Sequence, residues 1–199
     1  MGITTVGNDG RMADSPSGRE PPTVRLPTEH GRNIEALHEL AWRDLLDLLP
    51  GAMQALLDQA ASQLRATAEK LGEGATVGFT GQCDSDLFLV CNGCQGDRAV
   101  IEVKGPTAKV NWGKKRYVWQ TDSYRNTYRD DPTLACEHLA LPSPLFIFLD
   151  ARNRTRREIE EEEADGEQIL DGWAVFTYGE VLSEAPFSDQ PLARWLLGF

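Results

Sequence analysis

The 199-residue chain contains 41% hydrophobic and 26% charged residues, a balance that is typical of a globular protein with one full core. Its formal net charge of −11 argues against a general nucleic-acid-binding protein. No apolar run approaches the roughly 20 residues needed to cross a bilayer, so no membrane association is expected. The first residues lack the apolar stretch of a secretory signal, and we therefore expect a cytoplasmic protein with four reduced cysteines.

The positive charge is concentrated in one segment of this acidic chain. Residues 104–129 contain seven basic residues and one acidic residue, a net charge of +6, so the remainder carries −17. A local basic surface of this kind is typical of a protein that contacts phosphates, although a solvated helix face gives the same pattern. The nucleic-acid contacts predicted in this segment are Lys109, Lys114, Lys115 and Arg116.

In chain order, the first half of the sequence predicts a tail, two helices and three strands. Residues 1–29 are rich in Gly, Ser, Pro and Asp and predict a disordered tail, followed by a single domain over residues 30–199. Apolar periodicity predicts helices over about 32–49 and 52–71, separated by Pro50 and Gly51. A first strand is predicted over 75–80, and a hairpin with strands over 86–91 and 99–104 follows it.

The second half adds two strands and three possible helices. A helix is predicted from about residue 111 to residue 129, and the continuous apolar run 145–149 predicts a buried strand. An acidic insertion over about 156–168 is predicted to be a solvated loop or an exposed helix. A strand over 173–178 and a helix over 190–197 complete the order. This order predicts an α/β fold, a mixed central β-sheet flanked by α-helices on both faces.

The predicted hairpin groups three ionisable side chains. Because strand side chains alternate between faces, Glu102 and Lys104 point the same way, while the residues between them face the core. The loop over 92–98 brings Asp86 opposite Glu102 or Lys104. Two such carboxylates repel each other unless a cation is present, and Mg²⁺ or Mn²⁺ prefers oxygen ligands of this kind. A surface hairpin with cross-strand ion pairs would show the same residues.

The residues around these three resemble a known family. Asp86-Leu-Phe-Leu followed by Val-Ile-Glu102-Val-Lys104 resembles the PD-(D/E)xK, or restriction-endonuclease-like, nuclease superfamily. Gln120-Thr-Asp-Ser-Tyr124 on the next predicted helix resembles the Q-x-x-x-Y element of its RecB-type and lambda-exonuclease branches. The resemblance implies a DNA nuclease in which Asp86 and Glu102 bind Mg²⁺ or Mn²⁺ and Lys104 assists hydrolysis by a metal-activated water. It further implies that Gln120 and Tyr124 steady the site or the DNA phosphate.

The resemblance leaves the full set of metal ligands open. The literal Pro-Asp dipeptide is absent, so Asp84 is an alternative ligand to Asp86. Many members of the superfamily add a glutamate from the first helix, and here we expect Glu39, with Glu35 as the alternative. Many members also pair as homodimers to cut both strands, so a homodimer is a possible assembly of this chain.

Two other interpretations stay open. Cys91-Asn-Gly-Cys94 matches a C-x-x-C pattern and could form a thiolate metal site with Cys83 and Cys136, although Asn-Gly is also a strong turn signal. The acidic charge outside the basic segment would suit a non-catalytic interaction or inhibitor protein on the same fold. Such a protein would mimic nucleic acid or bind a basic partner.

Overall fold

A five-stranded mixed β-sheet forms the centre of the protein, in a computed structural model that describes residues 34–64, 75–78, 86–93, 95–107, 120–137 and 144–198. The strands lie side by side in sequence order, as β1 (Ala75–Gly78), β2 (Leu87–Cys91), β3 (Asp97–Lys104), β4 (Leu145–Asp150) and β5 (Trp173–Thr177). β2 runs antiparallel to β1 and β3, whereas β3, β4 and β5 run parallel to one another.

Helices cover both faces of this sheet. They are α1 (Ile34–Leu48), α2 (Ala52–Gln63), α3 (Gln120–Asp130), α4 (Arg156–Glu163), α5 (Tyr178–Leu182) and α6 (Pro191–Leu196), with a 3-10 turn at Pro132–Leu134. None of the helices in the described ranges combines the length and the apolar character that crossing a membrane requires.

Each face of the sheet has its own hydrophobic core. On one face, residues of α1, α2, α5 and α6 pack against alternate strand residues such as Ile101 and Ile147. On the other face, Tyr128 of α3 and Ile159 of α4 pack in a second cluster with Phe148. Because strand side chains alternate, the two clusters separate the odd and even residues of β3 and β4. The predicted α/β class, with a mixed sheet and helices on both faces, is confirmed.

The directions of the strands bring several strand ends together at one edge of the sheet. β3, β4 and β5 run the same way, so their carboxyl ends lie together, and β2, which runs the opposite way, begins at that same edge. Lys104 is the register partner of Asp150, which in turn is paired with Thr177. The carboxyl ends of parallel strands are where α/β proteins commonly bind ligands.

The predicted elements agree with the structure except at a few boundaries. β3 begins two residues earlier than predicted, because Asp97 pairs with Val90 after a register shift and forms a bridge with Ala135. The last strand ends at Thr177, since the Thr177 and Glu180 side chains form a capping box that starts the unpredicted helix α5. The acidic segment is a helix, α4, whose Ile159 is completely buried against the sheet.

Five predicted elements lie wholly or partly in parts of the chain that the structure does not describe. They are the disordered tail over 1–29, the start of the first helix before Ile34, the end of the second helix after residue 64, the end of the first strand after Gly78, and the start of the third helix before Gln120.

The free edge of β5 is occupied by a side chain from α2. The Gln63 amide donates to the Val175 carbonyl at 3.0 Å, and the Val175 N–H donates to the Gln63 carbonyl oxygen at 2.6 Å. These two bonds reproduce the pattern that a neighbouring strand would make.

Candidate active site

Asp86 precedes β2 and lies across from Glu102 of β3. The register pairs Leu87 with Ile101, and its continuation by one residue sets Asp86 opposite Glu102. The Asp86 carboxylate accepts a hydrogen bond from the backbone N–H of Val103 at 2.7 Å. The backbone of β3 therefore holds the Asp86 side chain beside Glu102, one of the two positions that the hairpin prediction left open.

Glu102 is a buried carboxylate, only 1% exposed, whose two oxygens have different surroundings. Oε2 accepts a hydrogen bond from the Tyr124 hydroxyl at 3.1 Å. Oε1 lies 2.6 Å from Nζ of Lys104, an ion pair that lacks the geometry of a hydrogen bond, and Oε1 accepts no hydrogen bond within the described ranges. Glu102 thus has one satisfied oxygen and one that is paired by charge alone.

The helix motif contacts the strand motif directly. The Gln120 amide donates to the Tyr124 hydroxyl one turn along α3, and that hydroxyl donates to Glu102. Burial, together with the negative charges of Glu102 and Asp86, raises the pKa of the Tyr124 phenol far above its usual range. The phenol therefore stays protonated and remains a hydrogen-bond donor to Glu102.

Asp86 is in an unfavourable electrostatic environment. Burial raises the pKa of the Asp86 carboxyl to about 8, and the charges of Glu102 and Glu39 act in the same direction. Lys104 and the Val103 N–H lower this pKa but do not offset the increase. The negative charges of Glu102 and Glu39 thus both disfavour the ionised form of Asp86, and a bound cation would relieve this repulsion.

The donor set suits a hard divalent cation. It consists of carboxylate oxygens, and Oε1 of Glu102 is a buried acceptor without a hydrogen-bond donor among the described residues. In the same part of the chain, no group of three or more His, Cys, Asp or Glu side chains is arranged to hold a metal ion. Metal ligation by Asp86, Glu102 and Glu39 therefore stays a prediction.

Several of the predicted site residues lie in parts of the chain that the structure does not describe. The structure does not describe Asp84, the side chain of Glu35, or the predicted nucleic-acid contacts Lys109, Lys114, Lys115 and Arg116. His38, which lies on α1 next to Glu39, is buried; its Nδ1 is 3.2 Å from the Tyr178 hydroxyl and its ring packs on Trp195. His38 therefore belongs to the packing of α1 against α5 and α6.

The thiolate site also stays a prediction. Cys91 and Cys136 are buried thiols that form no disulfide within the described residues. The Arg98 guanidinium donates a hydrogen bond to the Cys91 sulfur, which lies 3.4 Å from Nη2. Cys83 and Cys94 lie outside the described residues.

A charged cluster around Asp150 lies at the same edge of the sheet and was not predicted from the sequence. Asp150 ends β4, is fully buried and bonds to Arg152 and Arg154. The signal that could have found it was an aspartate that directly follows the apolar run 145–149 and precedes two alternating arginines.

A tyrosine pair on α3 provides a test of the contact to Glu102. Tyr124 donates to Glu102, whereas Tyr128, equally buried one turn later, donates to Asp97 at 2.6 Å. We expect Tyr124→Phe and Tyr128→Phe each to lower the free energy of unfolding by about 1–3 kcal/mol, because each leaves a buried carboxylate with one donor fewer. If the site is that of the nuclease that the motifs resemble, only Tyr124→Phe should lower the rate of DNA cleavage. Urea denaturation and cleavage assays check this, and equal catalytic effects would contradict it.

No protein-family model, curated protein or solved structure matches the chain. Its function is therefore inferred from the geometry of the site and the resemblance of its motifs.

Proposed function

We propose that the protein is a metal-dependent nuclease that hydrolyses DNA phosphodiester bonds with a metal-activated water, on a restriction-endonuclease-like fold of the RecB and lambda-exonuclease type. The main observation that supports this proposal is that two separate motifs meet at Glu102. Glu102 of the strand motif contacts Lys104 of the same motif and Tyr124 of the helix motif. The register sets Asp86 opposite the same glutamate.

Each residue has a role that follows from its surroundings. A Mg²⁺ or Mn²⁺ ion held at the site would lower the pKa of a bound water and stabilise negative charge on the phosphate. Asp86 and Glu102 would hold the ion, with Glu39 as a third ligand. The Lys104 ammonium can donate to the attacking water or to a phosphate oxygen as its negative charge grows. Tyr124 fixes the orientation of the Glu102 carboxylate, and Gln120 fixes Tyr124.

A purely structural ion pair accounts for less of the geometry. It explains the contact between Glu102 and Lys104, but it does not explain why Asp86 is partly buried where the charges of Glu102 and Glu39 oppose its ionisation. A structural carboxylate normally lies against a cation or several donors, which lower its pKa. Carboxyls with strongly raised pKa values instead cluster at functional sites.

A non-catalytic interaction or inhibitor protein on the same fold is the second candidate. One observation favours it: α4 buries Ile159 and exposes acidic side chains in and after the helix, namely Glu158, Glu161, Glu162, Asp165 and Glu167. Such a surface complements a basic partner. The two candidates differ in the site, because only the nuclease requires a divalent ion.

Cleavage of a panel of labelled single-stranded, duplex and branched DNAs, with Mg²⁺, Mn²⁺ or EDTA, tests the nuclease. Glu102→Gln is the control, since it keeps the shape of the side chain and removes its charge. We expect metal-dependent cleavage by the wild type and a loss of about 100-fold or more in the variant. If the wild type cleaves none of these DNAs, binds neither ion in calorimetry and recovers a basic partner, the second candidate replaces the first.

A further inference from the structure

A second group of cations, formed by Arg152 and Arg154, lies one strand away from Lys104. The register partner of Lys104 on β4 is Asp150, and the backbone N–H of Ala151 donates to the Lys104 carbonyl at 2.9 Å. Paired residues of parallel strands share a face, and adjacent strands are about 4.8 Å apart. Asp150 therefore lies beside Lys104 on the face of the sheet that holds Glu102.

Asp150 binds two arginines. Its Oδ1 accepts hydrogen bonds from the backbone N–H of Arg152 at 2.7 Å and from Nε of the same residue at 2.9 Å. Its Oδ2 accepts from Nη2 of Arg152 at 3.0 Å and from Nε and Nη2 of Arg154, each at 3.4 Å. The arginine side chains are 14% and 17% exposed. Both guanidiniums are thus fixed before any ligand arrives.

The cluster places two guanidiniums around one buried carboxylate, that of Asp150. Arg154 also contacts Glu162 at 2.8 Å, but that side chain is 62% exposed, so water screens the pair. A single bidentate arginine would be sufficient to neutralise Asp150. The second guanidinium adds positive charge at the edge where the carboxylates and Lys104 lie.

We propose that Arg152 and Arg154 form a phosphate clamp, with Asp150 as its positioning residue, that binds a nucleic-acid phosphate next to the one that Lys104 contacts. The clamp rests on the proposed nuclease function and extends it, because it directs the substrate strand from β3 across β4. A guanidinium offers parallel N–H donors that match phosphate oxygens. The incoming phosphate replaces the exposed Glu162, whereas Asp150 continues to hold both arginines.

DNA binding in EDTA tests the clamp without interference from cleavage. The proteins are the wild type, Arg152→Gln, Arg154→Gln and the control Arg157→Gln, with labelled single-stranded and duplex DNA as probes. Arg157 is 85% exposed and pairs with Glu161 on α4, so its loss changes the net charge equally without touching the cluster. We expect each clamp variant to bind about tenfold more weakly and its logarithmic salt slope to fall by about 1. The control should match the wild type.

Arg152→Lys separates recognition from folding. The lysine keeps the positive charge and an ion pair with Asp150 but lacks the parallel N–H donors of the guanidinium. It should therefore keep the wild-type salt slope and bind DNA more tightly than Arg152→Gln but more weakly than the wild type. If a glutamine variant unfolds, this lysine variant decides the question. Affinities and salt slopes equal to wild type in all variants, while the wild type binds and cleaves DNA, would overturn the clamp alone. A wild type that neither binds nor cleaves DNA would overturn the nuclease proposal as well.

Discussion

Asp86→Asn is expected to abolish DNA cleavage and, at the same time, to make the metal-free protein more stable at pH 8. The loss of cleavage follows from the proposed role of Asp86 as a metal ligand, since an amide is a much weaker ligand for Mg²⁺ than a carboxylate. The carbonyl oxygen of the substituted side chain can still accept the hydrogen bond that the Val103 N–H donates to Asp86. The variant should therefore keep the local fold.

The gain in stability follows from the raised pKa of Asp86, which is about 8 in the folded protein, whereas an exposed aspartate in the unfolded chain has its ordinary value of 3.8. Between these values the folded state holds a proton that the unfolded state has lost, so unfolding releases it. The stability of the wild type therefore falls as the pH rises from 4 to 8, by at most about 1.4 kcal/mol per pH unit for this group. An asparagine has no proton to release, so the variant lacks this contribution to the slope.

Denaturation in urea at pH 5 and pH 8, without divalent ions, measures the difference. The variant should exceed the wild type in stability by more at pH 8 than at pH 5, because the wild type loses stability over this range and the variant does not. Added Mg²⁺ should then stabilise the wild type at pH 8 and leave the variant unchanged. Asp58→Asn, at an exposed position of α2, is the control for the loss of one carboxylate. A variant that keeps cleavage at the wild-type rate would refute the role given to Asp86.

Lys104→Met is expected to have the largest effect on stability. The substitution keeps most of the hydrocarbon stem but leaves the buried Glu102 carboxylate without its cation at 2.6 Å. Breaking a buried ion pair in this way costs about 3–5 kcal/mol. Cleavage should also be lost, since a methionine cannot donate to the attacking water or to the phosphate.

A double-mutant cycle distinguishes the structural and chemical roles of Lys104. Glu102→Gln removes the charge that Lys104 neutralises, so the double variant Glu102→Gln/Lys104→Met should recover much of the lost stability, with a coupling energy of about 2–3 kcal/mol. It should recover no cleavage. Urea denaturation at pH 7 provides the energies. Additive losses of stability would show that the pair is not coupled, against the contact seen in the structure.

The hairpin and its site could be predicted from local signals. The alternation of apolar and polar residues indicated that Glu102 and Lys104 share a face, and the length of the connecting loop limited Asp86 to a position opposite Glu102 or Lys104. The register, which shifts between Leu89 and Val90, then sets Asp86 opposite Glu102. The four-residue spacing of Gln120 and Tyr124 indicated a shared helix face. That Tyr124 donates to Glu102 was not visible in the sequence, because the contact depends on how α3 packs across the sheet.

Long-range pairing accounts for what could not be predicted. β3 and β4 are separated by about 40 residues, and no local pattern sets Asp150 as the register partner of Lys104. The choice between Glu35 and Glu39 likewise depends on the rotation of α1 against the sheet, and the charge of Glu39 contributes to the raised pKa of Asp86. By contrast, the capping box of Thr177 and Glu180 is a local signal, and it would have ended the last strand correctly.

The side chain of Gln63 on the outer strand β5 has a consequence for self-association. An unprotected edge strand offers its backbone groups to another molecule and allows a continuous sheet to form across two chains. Here the N–H and carbonyl of Val175 are already engaged by one glutamine. A homodimer that extended the sheet through β5 would first have to break both bonds, so we expect any homodimer to pair through other surfaces. By occupying these backbone groups, Gln63 disfavours the addition of further strands at β5.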